Sequence, residues 1–290
     1  MEEIKQIIFE NKNLPDSHID CIKLEDLLRR KLEHDPTTLH TVNFYILILI
    51  TAGEGQHTID FTDYTYRRGT VLLIRKDQVQ KFFHSDEARG VLIIFTEDFI
   101  LSFIQRNAAL EAFHLFNDVF SPPKIELDET SLGDVIHLTQ YLEEEYQSIR
   151  DDYSPGILRS LLHVLLAKLD RYRADENTNI AHNRYLQEFL AFQALVEQKC
   201  FQTRKVMDYA DDLGVSTKKL NMIVQSTVHK SAKTFIDEIL ILRIKRLLIN
   251  SDLSGKEIAY TTGFDEPTNL YKFFKRYTGS TPEAFRQAYL

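Results

Sequence analysis

The chain has 290 residues, 43% hydrophobic and 27% charged, with 10 Gly, 7 Pro and 2 Cys, and this excludes a mainly disordered or disulfide-built protein. Its longest apolar run, the 7 residues from Phe44 to Ile50, excludes a membrane-spanning helix, which needs roughly 20 apolar residues. The formal net charge of -8 hides a split: residues 183–290 hold 16 Lys plus Arg against 12 Asp plus Glu, whereas residues 1–182 hold 19 against 31.

That length suits two domains of ordinary size, and the charge split suggests an acidic domain joined to one that meets a polyanion. The first residues, "MEEIKQIIFE", carry acid where a signal peptide carries base. Cys21 and Cys200 lie far apart and form no ligand or disulfide pattern. A cytoplasmic protein is therefore expected, without membrane contact.

From Thr41 to Phe95 come short β-branched and aromatic runs, "TVNFYILILI", "QHTIDF", "YTYRRGTVLLIR", "KFFH" and "GVLIIFT", broken by "TAGEG", "RRG" and "HSDEARG". Strands at that spacing predict a small sandwich or barrel. Two helices are predicted next, over "SLGDVIHLTQYLEEEYQSIR" and "PGILRSLLHVLLAKLDRYRA". In the second, Leu158, Leu162, Leu165 and Leu169 step by 4, 3 and 4, and Leu161, Val164 and Leu166 widen the apolar face. One stripe can cover the barrel and leave another for a partner, with Leu158, Leu162, Leu165 and Leu169 the expected dimerisation residues, or both faces can be buried within one subunit. His163, among these leucines, is expected to be buried. The polar run "RADENTNIAHN", residues 173–183, reads as a linker, giving domains over 1–172 and 184–290.

Beyond the linker the chain repeats itself. Ala210, Gly214 and Ser216 return 49 positions later as Ala259, Gly263 and Asp265, and Leu220 and Phe235 return 50 positions later as Leu270 and Phe285. Each copy has the makings of a helix-turn-helix: a small residue where two helices approach, a glycine for the turn, then an N-cap residue, Ser216 or Asp265. Pro267 fits the first turn of the second recognition helix, and Ser254 with Glu257 forms a capping box for the helix before it. Between the copies "TFIDEILILRIKRLLINS" reads as one long helix.

The stretch "IAYTTGFDEPTNLYKFFKRYTGSTPEAFR" resembles the C-terminal signature of the AraC-type bacterial transcription regulators at Ala259, Gly263, Phe264, Leu270, Phe274, Lys275, Gly279, Thr281, Pro282, Phe285 and Arg286. The resemblance covers about the last hundred residues. In the first copy His229 and Ala232 stand where the family usually has Gly and Pro, so the loop there is expected to differ. The N-terminal half looks like the cupin-type barrel of many such regulators. The implied fold class is α+β, a cupin-like barrel with helices followed by an all-α double helix-turn-helix domain.

In the second copy Phe264, Leu270, Phe273, Phe274 and Phe285 are expected to form the core, with Thr268, Tyr271, Lys272 and Lys275 outside. The resemblance implies that Thr268 and Lys272 read base edges and that Lys275 and Arg276 meet phosphate. Lys218, Asn221 and Met222 are the matching readers of the first copy, Asn suited to adenine and Met to a thymine methyl.

Cupin barrels that bind metal do so through a His-x-His pair, and the barrel region offers only His57 and His84, without that pair. No Ser-His-Asp order, phosphate-binding glycine loop or cysteine pair is present either. No metal, cofactor or catalytic residue is therefore expected. The function implied is a sequence-specific regulator that binds double-stranded promoter DNA, forms a homodimer and takes a small-molecule effector in its barrel; the other reading is a cupin-type enzyme with a DNA-binding tail.

Overall fold

The computed structural model describes residues 5–11, 17–29, 35–101, 115–116, 122–148, 151–174 and 185–289. They fall into two compact units, within Lys5–Thr178 and Asn179–Leu290. Of the segment read as a linker, Arg173 and Ala174 close a helix, and residues 175–183 lie outside the described residues.

The first unit stacks two five-stranded sheets. One runs β1 (Lys5–Ile7), β3 (His40–Val42), β8 (Val79–Phe82), β5 (Glu54–Ile59), β6 (Thr62–Arg67), and the other runs β10 (Lys124–Glu126), β7 (Thr70–Ile74), β4 (Tyr45–Ala52), β9 (Arg89–Phe95), β2 (Ile19–Lys23). Pairing is antiparallel except between β1 and β3. Two short helices, α1 (Leu24–Arg29) and α2 (Glu97–Leu101), follow β2 and β9. The expected run "TVNFYILILI" divides between β3 and β4, and "KFFH" contributes to β8, which begins two residues earlier at Val79. Among the described elements of this unit β1, β2, β10, α1 and α2 had no sequence expectation.

The unbroken apolar spelling of β4 follows from burial on both faces. Ile46, Ile48 and Ile50 point between the sheets, where they meet Val42, Ile59, Leu72, Phe82 and Leu92. Tyr45, Leu47 and Leu49 point the other way, with Val71, Leu73, Ile93 and Phe95. Two long helices, α3 (Glu129–Ser148) and α4 (Ser154–Ala174), cover that second face.

Here the dimerisation expectation is corrected. Leu158, Leu162, Leu165 and Leu169 are the cover: all are buried in the same cluster as the second sheet, Leu165 and Leu169 completely. A sheet with two apolar faces needs that stripe for itself, so the four leucines present nothing to a partner. What α4 leaves outside is Ile157 and Val164, at 41% and 44% exposure, and the half-buried Leu161. His163 is exposed too, contrary to expectation, because it lies one residue past Leu162 and so turns away from the sheet.

The second unit is all helix: α5 (Leu186–Lys199), α6 (Val206–Asp212), α7 (Thr217–Val228), α8 (Ala232–Asn250), α9 (Gly255–Thr261), α10 (Pro267–Thr278) and α11 (Pro282–Tyr289). The helix expected between the copies is α8. It buries residues nearly all round, among them Phe235, Ile239, Leu240, Ile244 and Leu248, as a helix between two packed units must. On one side Phe189 and Phe192 of α5 pack edge-on or tilted against Phe235, at 5.2 and 5.5 Å between ring centroids. On the other, Phe264, Leu270, Phe273, Phe274 and Phe285 form the second core as expected.

Candidate nucleic-acid interface

The two copies position α7 and α10 alike. After α6 and α9 the chain turns through Gly214 and Gly263, with φ of 64° and 75°, a region closed to most side chains. Gly263 has a second reason to be glycine: a Cβ there would come within 2.2 Å of the Phe201 carbonyl oxygen. Ser216 then caps α7, its hydroxyl accepting from the Lys219 amide at 3.1 Å. The expected capping box is present on α9, with Ser254 and Glu257 bonding each other's backbone.

Asp265 is not the N-cap of α10, contrary to expectation. The residue inserted in the second copy moves the cap to Glu266, which makes no side-chain capping bond, and Pro267 begins the helix with no N–H to satisfy. The loop after α7 does not differ from its counterpart either. His229 adopts the left-handed conformation at φ 55°, as Gly279 does at 77°, and the two amides bond the Gln225 and Lys275 carbonyls. His is among the non-glycine residues that tolerate this region. Ala232 and Pro282 then open the next helices from equivalent places.

With Leu270, Phe273 and Phe274 inside, α10 leaves Thr268, Asn269, Lys272, Lys275 and Arg276 exposed. Tyr271 is half-buried, and its hydroxyl donates to the Glu283 carboxylate of α11. That hydrogen bond, with some burial, pushes the phenol up to about 12. On α7, Lys218, Lys219, Met222 and Gln225 are exposed. Asn221 is not open to read a base: its Oδ1 accepts from the Ala232 amide and its Nδ2 donates to the Thr217 carbonyl, both at 3.0 Å. Tyr271 stands 50 residues after Asn221. The same position in both copies thus ties the recognition helix to the helix that follows, and the expected outward roles of Asn221 and Tyr271 are corrected accordingly. Lys219, Gln225 and Asn269 share these exposed faces without having been singled out in the sequence, although the offset of 50 pairs Lys219 with Asn269 and Gln225 with Lys275.

Arg276 lies with its guanidinium 4.9 Å from the Tyr277 ring and 3.8 Å from the Asp237 carboxylate, and 66% of its side chain stays exposed. Asp237, nearly buried on α8, also accepts from the Tyr277 hydroxyl at 3.1 Å and pairs with Lys233 at 2.6 Å. Arg286, part of the signature, faces inward: its nitrogens donate to the Leu248, Ser251 and Leu253 carbonyls and satisfy the end of α8. The guanidinium of Arg204 lies 4.1 Å from the Phe264 ring, joining the first copy to the second. Neither α7 nor α10 contains an acidic residue, so each outer face is cationic without internal neutralisation.

In the first unit His57 is completely buried, with Nε2 3.0 Å from Gln80 Oε1 and its ring edge-on to Phe82. Burial lowers it to about 3 and keeps it neutral. His84 is largely exposed, 3.3 Å from Asp86. Among the described residues no group of three or more His, Cys, Asp and Glu side chains is placed to hold a metal ion, and no helix is long and apolar enough to cross a membrane. Beside His57, between the sheets, a cavity of about 450 Å³ reaches from β1 across to β9.

Two family models match the chain. One is described as an AraC-like ligand binding domain and covers residues 26–177; the other is a helix-turn-helix domain and covers residues 209–288. The transcriptional activator RhaR of Enterobacter sp. (strain 638) is 22% identical over 250 residues, 85% of this chain and 86% of that one. The Msm operon regulatory protein of Streptococcus mutans is 22% identical over 246 residues, 84% of each. A solved structure of ToxT from Vibrio cholerae strain SCE256 with an unsaturated fatty acid bound covers 92% of this chain and 94% of that one, at 17% identity and a TM-score of 0.42. That score is too low to carry the ligand over.

Proposed function

The chain belongs to the AraC family of transcription regulators, with a ligand-binding domain ahead of a helix-turn-helix domain, and on that premise we propose that its two recognition helices read one promoter together. The observation that carries this is the pair of 12-residue helices α7 and α10, held in one packed unit and each showing DNA a face with cations and no carboxylate. Such a face releases counterions from the phosphate backbone on binding. Helices joined this way enter successive major-groove segments, about 34 Å apart along one side of the duplex. Thr268 and Lys272 of the second helix, with Lys218 and Met222 of the first, meet base edges; Lys275 and Arg276 meet phosphate.

The first unit, in this reading, senses a small molecule between its sheets and brings two chains together through Ile157, Leu161 and Val164, the apolar residues α4 leaves outside. We take it as a sensor and not an enzyme, and its effect as activation, on the strength of relatives named as a regulatory protein and an activator. Stoichiometric iron, manganese or zinc in the purified protein would reverse the first of these assignments. Selection of bound genomic fragments tests the DNA reading: recovered sites should contain two short elements one helical turn apart, and sites with a single element would remove one recognition helix from the interface.

A further inference from the structure

We propose that the cavity between the sheets takes an uncharged, largely apolar molecule with one carboxamide head, bound through Gln80; this rests on the reading of the first unit as an effector domain. Gln80 is fully buried on β8 and lines the cavity. Its Oε1 is engaged by His57, while its Nε2 has no hydrogen-bond partner, and neither has Nδ1 of His57. A buried donor left without a partner is destabilising, so a ligand group that completes it gains more than it would in water. A carboxamide carries both an acceptor oxygen and donor hydrogens, and complements the free edge of the Gln80 amide whichever of its two atoms His57 takes.

The remaining wall sets the body of the molecule. Val42, Phe44, Ile46, Phe82, Leu92 and Ile94 line the cavity, and its volume of about 450 Å³ falls in the range of small-molecule sites. Charge sets the head. The ionisable groups on the wall are Lys5, Glu10, Asp20 and His40. Lys5 and Glu10 are exposed, Asp20 takes the Tyr146 hydroxyl at 2.7 Å, and His40 holds the Thr38 carbonyl at 2.9 Å. His57, next to Gln80, stays uncharged. Lys5 is paired with His40 and His40 with Gln80 across the sheet, but Lys5 keeps its charge in water, so a carboxylate or ammonium drawn to the buried Gln80 would be desolvated without a buried counter-charge. A sugar would strand most of its hydroxyls against the apolar wall.

The test uses the full chain and four probes: hexanamide, hexanoate, hexylamine and glucose. Titration followed by NMR should shift the Gln80 side-chain amide and the Val42, Ile46 and Leu92 methyl resonances with hexanamide, and bind hexanoate, hexylamine and glucose at least tenfold more weakly. Gln80→Leu should weaken hexanamide at least tenfold, and the wild-type amide resonance reports the same contact should that variant fail to fold. Hexanoate or hexylamine binding as well as hexanamide, or hexanamide moving the methyls but not the Gln80 amide, overturns the carboxamide assignment and leaves the effector reading standing. If no probe moves any of these resonances, both fall.

Discussion

Lys272 and Lys275 lie three residues apart on the exposed side of α10, and the roles assigned to them make opposite predictions. Lys272→Ala should cost about 1–3 kcal/mol on the best operator and flatten base preference at one position, as loss of a direct base contact does. Lys275→Ala should weaken all sequences alike and lower the salt slope by about one, since a phosphate contact releases a counterion without reading sequence. Titrations on operator and scrambled DNA at several salt concentrations separate the two, and a uniform loss from Lys272→Ala would end its assignment as a reader. Asn221→Ala belongs to a third class. It removes the acceptor for the Ala232 amide and should cost roughly 1 kcal/mol of stability, in the manner of a helix cap, with base preference unchanged. A shifted base preference would return Asn221 to the interface. His57 supplies a pH prediction. Its folded value, about 3, lies below the ordinary 6.5, so the unfolded chain binds the extra proton as pH falls through 6.5 and stability is lost from there down towards 3. Between pH 7 and 5 the loss should be about 2 kcal/mol by urea denaturation and should vanish in His57→Gln. Equal slopes for the two proteins would show that His57 is not held neutral by the fold.

On α4 two faces carry different consequences. Leu162→Ala opens a cavity under the second sheet and should cost about 2–5 kcal/mol. Val164→Glu, on the exposed side, should change stability by about 0.5 kcal/mol or less and yield monomers in sedimentation if that face joins two chains. Dimers that survive Val164→Glu would place the contact elsewhere. The 4-3-4 leucine step was legible as an apolar helix face, but its occupant was not, because a period records that a face is covered and not what covers it. The strand runs behaved likewise. Their apolar spelling marked β4, β7 and β9 well, whereas β1, β2 and β10, 3 to 5 residues long at or next to sheet edges, lack a run long enough to show alternation. Element boundaries at the turns were clearer wherever one residue type serves a backbone need, as at Gly214 and Gly263.

Across the whole molecule, two compact units and an uneven charge make the second unit separable. A fragment from Asn183 to Leu290 should fold alone by circular dichroism and bind DNA more weakly than the full chain, because it lacks the second chain's tether. A fragment that does not fold would mean that the first unit completes its core; a fragment that binds as tightly as the full chain would remove self-association from the account of affinity.

The sequence by itself determined the repeat, the core of its second copy, the turn glycines and the capping box, since each depends on residues within a few positions of one another or on a period that copies itself. Only the tertiary structure decided which α4 face is core and that Asn221 and Tyr271 are ties rather than readers. Those outcomes depend on what another segment brings: the Ala232 amide 11 residues from Asn221, the Glu283 carboxylate 12 from Tyr271, and a sheet face whose strands lie far from α4 in the chain. Local pattern shows what a residue can do, and packing decides which of its partners it meets.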